Sequence, residues 1–149
     1  MTKPSGSKGA STTANPDGTS VPNLVQLRSM MKILPAAFYR TEAGNEPVRD
    51  WLKGELSKED RLKVGTAIKR VELEWPIGKP TCAPLSDGLW EVRVTLPKRI
   101  ARVIFFVHDE TMVLLHGFIK KAQKTPQDDL ELAGKRKRDV EKADAKGRK

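Results

Sequence analysis

Cysteine is nearly absent from this chain, because Cys82 is the only one among 149 residues. An intramolecular disulfide is therefore excluded, and a metal site built on cysteine ligands is not expected. No apolar run approaches the length of a membrane span, and residues 1–20 lack the apolar segment of a signal peptide. The sequence predicts a cytoplasmic protein without a membrane partner.

Sequence motifs for cofactor and metal chemistry are also missing. The chain contains no glycine-rich phosphate loop, no HExxH, no paired Cys/His set and no serine-nucleophile elbow. Cys82 lies in a loop between Pro80 and Pro84 without a nearby basic motif, which argues against a catalytic thiol. We therefore expect no cofactor and no metal site.

Positive charge is abundant and unevenly distributed. The formal net charge is +9. Residues 32–92 are neutral, with ten Lys and Arg against ten Asp and Glu, whereas residues 93–124 carry seven against two and residues 134–149 eight against three, +5 in each case. This excess predicts anionic partners, with nucleic acid first and acidic protein second.

Three segments are predicted along the chain. Residues 1–30 are small and polar and predict a disordered leader, for which a translation start at Met30 or Met31 is one interpretation. Residues 31–133 carry the pattern of a folded domain, and residues 134–149 predict a basic helix end and tail.

The folded segment is predicted to alternate between strands and helices. A strand over 33–40 contains Pro35, which favours an edge position. Asn45 and Pro47 predict a short helix start, Ser57 predicts the cap of a second helix, and Thr125 the cap of a last one reaching about residue 142. Three strands joined by tight turns lie between the second and the last helix. The order β-α-α-β-β-β-α predicts an α+β fold, with helices on one face of a small, antiparallel-rich sheet.

Cations and one histidine interrupt these three apolar strands. Strict alternation places Glu91 and Arg93 on one face, and His116 on the face of Leu114. If the register brings Arg93, Arg102 and His116 together, they form a cationic patch suited to phosphate. Each also has a structural interpretation: Arg93 as a solvated residue or a partner of Glu91, Arg102 in an ion pair, and His116 as a hydrogen-bonded core residue.

At these strands the sequence resembles the RelE/ParE superfamily of toxins from bacterial type II toxin–antitoxin systems, and most of all its HigB-like, phage-associated branch. The segments that carry the resemblance lie between about Met31 and Arg138. They are Leu89-Trp90-Glu91-Val92-Arg93, Arg99-Ile100-Ala101-Arg102-Val103-Ile104-Phe105, and Leu114-Leu115-His116-Gly117-Phe118-Ile119-Lys120-Lys121 followed by Thr125-Pro126.

The resemblance implies a RelE-like fold and an endoribonuclease, an mRNA interferase, that cuts translated mRNA on the ribosome without metal. In such enzymes the RNA 2′-hydroxyl attacks the adjacent phosphate. The resemblance assigns Arg93 and Arg102 to phosphate and transition-state charge, His116 to acid/base chemistry, and Lys121 to the same catalytic set. The implied substrate-binding residues are Glu91, Lys98, Arg99, Lys120 and Lys124.

The resemblance also implies partners and leaves alternatives open. The partners are the ribosome, mRNA and a cognate antitoxin, often a helix-turn-helix protein through which the complex binds operator DNA. RelE itself carries a lysine where this chain has Glu91, so the general base stays open. Tyr39 is the only tyrosine, and the C-terminal tyrosine of some members has no counterpart. The alternatives are a ParE-like toxin that inhibits gyrase, and a catalytically inactive RNA- or ribosome-binding module.

Overall fold

The computed structural model describes residues 12–14, 20–22, 32–120 and 125–147, and it divides the chain into two units, residues 1–33 and 34–149. In the first unit, strands β1 (Thr12–Ala14) and β2 (Ser20–Pro22) pair antiparallel. The rest of the predicted disordered leader lies outside the described residues.

The second unit is built on a five-stranded sheet in the order β3-β7-β6-β5-β4. The strands are β3 (Ala36–Phe38), β4 (Cys82–Pro84), β5 (Leu89–Leu96), β6 (Arg99–His108) and β7 (Thr111–Lys120). β3 runs parallel to β7, and every other pair is antiparallel. The predicted meander is therefore confirmed, and the loop around Cys82 contributes an unpredicted edge strand.

Both predicted turns of the meander are formed, and each places non-glycine residues at positive φ. Lys98 has φ of 62° directly after Pro97, as in a type II turn. Asp109 and Glu110 have φ of 48° and 59°, as in the type I′ turn that suits the twist of a hairpin.

Three helices complete this unit: α1 (Pro47–Glu55), α2 (Lys58–Glu74) and α3 (Gln127–Gly147). The Ser57 side chain accepts a hydrogen bond from the Asp60 amide, which confirms it as the cap of α2. The cap position of α1 is Glu46 instead of Asn45, and it makes no side-chain cap bond. Among the described helices, none is both long and apolar enough to cross a membrane.

The helices cover both faces of the sheet. Buried residues of α1 and α2 pack against Val92, Val103 and Phe105, whereas Ala133 of α3 packs against Ile104 from the opposite face. The α+β class and the antiparallel-rich sheet are confirmed. The expectation that all helices share one face is wrong for α3, because residues of both parities along β6 are apolar and each face needs a cover.

A β-bulge in β7 decides which face the second half of that strand presents. Ile104 pairs with His116 and Phe105 with Leu114, so Leu115 is an extra residue. Leu114 packs with α1 and α2, yet His116 lies on the α3 face. The expectation that Leu114 and His116 share a face is therefore wrong, because the bulge interrupts the alternation.

Candidate functional site

Two arginines lie opposite each other on the α3 face of the sheet. Arg93 of β5 and Arg102 of β6 are register partners, an arrangement that is unfavourable for like charges. The carboxylate of Glu91 compensates for it. Its Oε1 lies 2.9 Å from Nε of Arg93 and 2.9 Å from Nη1 of Arg102. One carboxylate thus bridges both guanidinium groups.

Glu91 is fully buried, and a third group satisfies it. The hydroxyl of Thr125, just before α3, donates to Oε2 over 2.8 Å and accepts from Nη1 of Arg102 over 3.0 Å. The side chain of Arg102 is 4% exposed and that of Arg93 36%. Both arginines are therefore ion-pair partners of Glu91, in agreement with their structural interpretations. Arg93 in addition exposes part of its side chain to solvent.

These cations line a cleft of about 360 Å³, here called the arginine cleft. Its walls are formed by Pro80, Thr81, Arg93, Thr95, Ile100, Arg102 and Lys120. Two guanidinium groups and the Lys120 ammonium against one carboxylate leave a net charge of +2. Nε of Arg102 is buried without a hydrogen-bond partner among the described residues. An incompletely satisfied cation in a positive cleft suits an oxyanion.

His116 lies on the same face, one diagonal step from Arg102, which pairs with Phe118. Its Nε2 lies 2.5 Å from Oδ1 of Asp129 in α3. The imidazole also stacks on the Phe118 ring, with centroids 5.4 Å apart and planes 17° apart. The ring is therefore held at its edge by a carboxylate and on its face by an aromatic ring.

His116 opens into a second cleft of about 640 Å³, here called the histidine cleft. It is lined by Pro47, Trp51, Glu55, His116, Gly117, Phe118, Ile119, Pro126, Asp129 and Arg136. The cleft exists because β3 ends at Phe38, opposite Leu114. Beyond that point, the outer edge of β7 has no strand partner among the described residues. α1 and α3 contribute the two sides.

Arg136 contacts β7 at the bulge, directly after the residue where the pairing with β3 ends. Its Nη1 donates to the carbonyl of Leu115 over 2.7 Å, which satisfies the bulged residue. Its guanidinium lies 5.6 Å from the centroid of the Tyr39 ring. Burial lowers the pKa of Arg136 from its ordinary value.

The structure separates the remaining predicted residues. Lys120 lines the arginine cleft, whereas Arg99 faces α2 and pairs with Asp60 over 2.6 Å. Lys98 is exposed in the turn between β5 and β6. Lys121 and Lys124 lie outside the described residues. The site therefore brings together Arg93, Arg102, Lys120 and His116, and leaves Lys98 and Arg99 apart.

Asp129 and Arg136 were not predicted from the sequence. Their spacing of seven residues, two helical turns, places both on one face of α3 and is the signal that could have found them. The strand residues that this helix face contacts could not be predicted, because the bulge at Leu115 determines on which face of the sheet His116 lies.

Two other reactive groups lie away from these clefts. Nε2 of His108 lies 3.6 Å from Asp109 and 3.5 Å from Asp144, the one cluster of three potential metal ligands among the described residues. Cys82 is fully buried, and burial raises the pKa of its thiol to about 11, with Glu91 adding to the shift. A thiol that stays protonated is a poor nucleophile.

Comparison with known protein families gives a match that covers more than half of the chain. The family model described as phage-derived protein Gp49-like (DUF891) matches residues 50–138, from α1 into α3. The matched region contains both clefts except for Pro47. No curated protein matches the chain.

Proposed function

Because the chain belongs to the phage-derived Gp49-like family (DUF891), whose members are RelE/HigB-like toxins of toxin–antitoxin systems, we propose that it acts as a metal-independent, ribosome-dependent mRNA endonuclease. Membership also implies an antitoxin partner. We further propose that this antitoxin is a helix-turn-helix protein that carries the complex to operator DNA.

The observation that supports the proposal is the shared face of β5, β6 and β7. That face carries two guanidinium groups, an ammonium group and an imidazole within neighbouring register positions. Cleavage by the RNA 2′-hydroxyl needs cations for the phosphate and a group that exchanges protons near neutrality. Arginine and histidine supply these without a metal ion.

Arg93 is the arginine that contacts substrate in this proposal. Its side chain is partly exposed, whereas Arg102 is buried in the pair with Glu91. Arg102 orients Glu91 and contributes its own positive charge to the arginine cleft from a buried position. Lys120 binds the RNA backbone at the mouth of the same cleft.

The test is to express the protein from an inducible promoter in a bacterial host and to map mRNA 5′ ends. Arg93→Ala and His116→Ala are the site variants. Arg102→Ala is unsuitable, because it leaves the buried Glu91 with one cation fewer. The matched control is Lys69→Ala, which removes an exposed cation of α2 that lines neither cleft.

We expect codon-phased cleavage of translated messages by the wild-type and Lys69→Ala proteins, and its loss in the two site variants. Growth arrest with intact mRNA and gyrase-dependent DNA damage would support a ParE-like toxin instead. Absence of toxicity in the wild-type protein would support an inactive RNA- or ribosome-binding module.

A further inference from the structure

The proposed reaction needs a general base, which takes the proton from the 2′-hydroxyl. Glu91 is unsuited to this task, because its carboxylate is fully buried and bound by Arg93, Arg102 and Thr125. A general base must reach the proton that it abstracts. His116, unlike Glu91, borders open space, in the histidine cleft.

The hydrogen bond to Asp129 determines which nitrogen of His116 is available. A carboxylate only accepts hydrogen bonds, so in the neutral imidazole Nε2 carries the proton and donates it to Oδ1 of Asp129. Nδ1 is then the unprotonated nitrogen, and it has no hydrogen-bond partner among the described residues. The tautomer required of a general base at Nδ1 is thus selected by Asp129.

The surrounding fold holds Asp129 in place. Asp129 lies in the first turn of α3, and the helix is fixed to the sheet by the buried Ala133 and by the hydrogen bond from Arg136 to Leu115. The stack on Phe118 fixes the plane of the imidazole. Both partners of the pair are therefore positioned before any substrate binds.

We propose that His116 is the general base of RNA cleavage, acting through Nδ1, and that Asp129 is its positioning residue; this rests on the proposed function. The bond between O2′ and phosphorus forms as the bond between phosphorus and O5′ breaks. The 2′-hydroxyl proton passes to Nδ1, and solvent water protonates the departing O5′. The products are a 2′,3′-cyclic phosphate and a 5′-hydroxyl. The Asp129 carboxylate stabilises the imidazolium that forms, as a carboxylate does in other histidine pairs.

The two clefts together fit one reacting nucleotide. Arg102 and His116 are diagonal neighbours across β6 and β7, about 7–8 Å apart between Cα atoms. A phosphate at the arginine cleft therefore leaves the adjacent ribose beside His116. At about 640 Å³ the histidine cleft has room for that nucleoside.

The first readout is spectroscopic and independent of activity. Long-range proton–nitrogen correlation spectra distinguish the two imidazole tautomers, and the chain has only two histidines, which a His108→Gln variant assigns. We expect the Nε2-protonated form of His116 in the wild-type protein and in Asp128→Asn. Asp129→Asn should shift it towards the Nδ1-protonated form, because an amide can donate to Nε2. Asp128 is the matched control, since it is the exposed neighbour of Asp129 on the same helix.

The second readout is single-turnover cleavage on purified ribosomes carrying an mRNA that the wild-type protein cuts. We expect His116→Ala to be slower by at least about 100-fold and Asp129→Asn by at least about 10-fold, with Asp128→Asn unchanged. In a substrate whose 5′-bridging oxygen is replaced by sulfur, the leaving group needs no proton. A base mutant stays slow on that substrate, so rescue of His116→Ala would overturn the assignment as base.

The outcomes separate the two proposals. Cleavage by the wild-type protein with Asp129→Asn equally fast, or with the Nδ1-protonated tautomer in the wild-type spectrum, would overturn the inference and leave the endonuclease standing. No cleavage by the wild-type protein on ribosomes would overturn both.

Discussion

Glu91 is the residue on which the arginine pair depends. It holds Arg93 and Arg102 together at a place where two like charges face each other. Removing one partner of a buried ion pair is far more harmful than removing a surface pair, because the remaining charge stays buried without compensation. Glu91 therefore has a structural role in holding the two arginines, and its negative charge also lowers the net positive charge of the arginine cleft.

Glu91→Gln is expected to lower the free energy of unfolding by about 3–5 kcal/mol, since Arg102 loses its buried counter-charge while the side chain keeps its shape. Urea denaturation followed by circular dichroism measures this change. The control is Glu74→Gln, whose pair with Arg70 has side chains about half exposed; it should change stability by less than about 1 kcal/mol. Equal effects of the two substitutions would contradict the anchoring role of Glu91.

Gly117 is the residue that lets α1 approach β7. A Cβ atom at this position would lie 2.4 Å from Cε3 of Trp51. Gly117→Ala is expected to destabilise by about 1–3 kcal/mol, because the indole must move out of a packed position. Gly65→Ala in α2 is the matched control, since nothing lies within 4 Å of its Cβ. It should stabilise by about 1 kcal/mol, because alanine favours a helix interior. Chemical denaturation of both variants checks the opposite signs.

At the scale of elements, α3 is the helix that joins both clefts to the sheet. Thr125 precedes it, Asp129 lies in its first turn, and Arg136 and Asp139 extend the contact to Leu115 and Tyr39. The hydroxyl of Tyr39 donates to Oδ2 of Asp139 over 3.2 Å. Burial, followed by Asp139, raises the pKa of Tyr39 above its ordinary 10.0.

Tyr39 is a spectroscopic probe of the packing of α3, because its hydroxyl is bonded to Asp139 of that helix and it is the only tyrosine in the chain. Its tyrosinate absorbance should appear above pH 10 in the wild-type protein, and at lower pH in Asp139→Ala but not in Asp128→Ala. Since the folded state keeps the phenol proton to higher pH than the unfolded state, the stability that it contributes is complete below pH 10 and falls as pH rises through the folded pKa. Tyr39→Phe should lose this part of the pH dependence. An unchanged midpoint in Asp139→Ala would mean that the hydroxyl is not bonded to α3.

Much of this architecture could be predicted element by element. Caps, turns and apolar periods indicated α2 and the meander, because those signals are local. The predicted cap Thr125 lies two residues before α3 begins, and its hydroxyl bonds Glu91 and Arg102 instead. β4 was missed since three residues carry no period. The face of α3 and the side of His116 were also inaccessible, because both depend on tertiary pairing and on a single extra residue, Leu115. Whether Arg93 and Arg102 lie opposite each other depends on the register between β5 and β6, which the sequence alone does not determine.

At the scale of the whole molecule, the folded unit has its own core on both faces of the sheet. The two clusters of buried residues use positions from Leu34 to Ala133, with Val140 packed against them. The toxin domain of residues 31–133 and the helix end and tail of residues 134–149 stay predictions. A domain with a core of its own is expected to fold without additional segments.

A chain that begins at Met31 is therefore expected to unfold at the same denaturant concentration as the full chain, and to cleave ribosome-bound mRNA at the same rate. The two apolar clusters supply the stability of the folded unit, and both clefts lie within residues 47–136. Denaturation and the single-turnover assay compare the two chains directly. The informative contrast is a chain that ends at Gln127: it loses Asp129, Ala133 and Arg136, exposes the apolar surface around Ile104, and should fail to fold. A large loss of stability on starting at Met31 would instead show that residues 1–30 contribute to the domain.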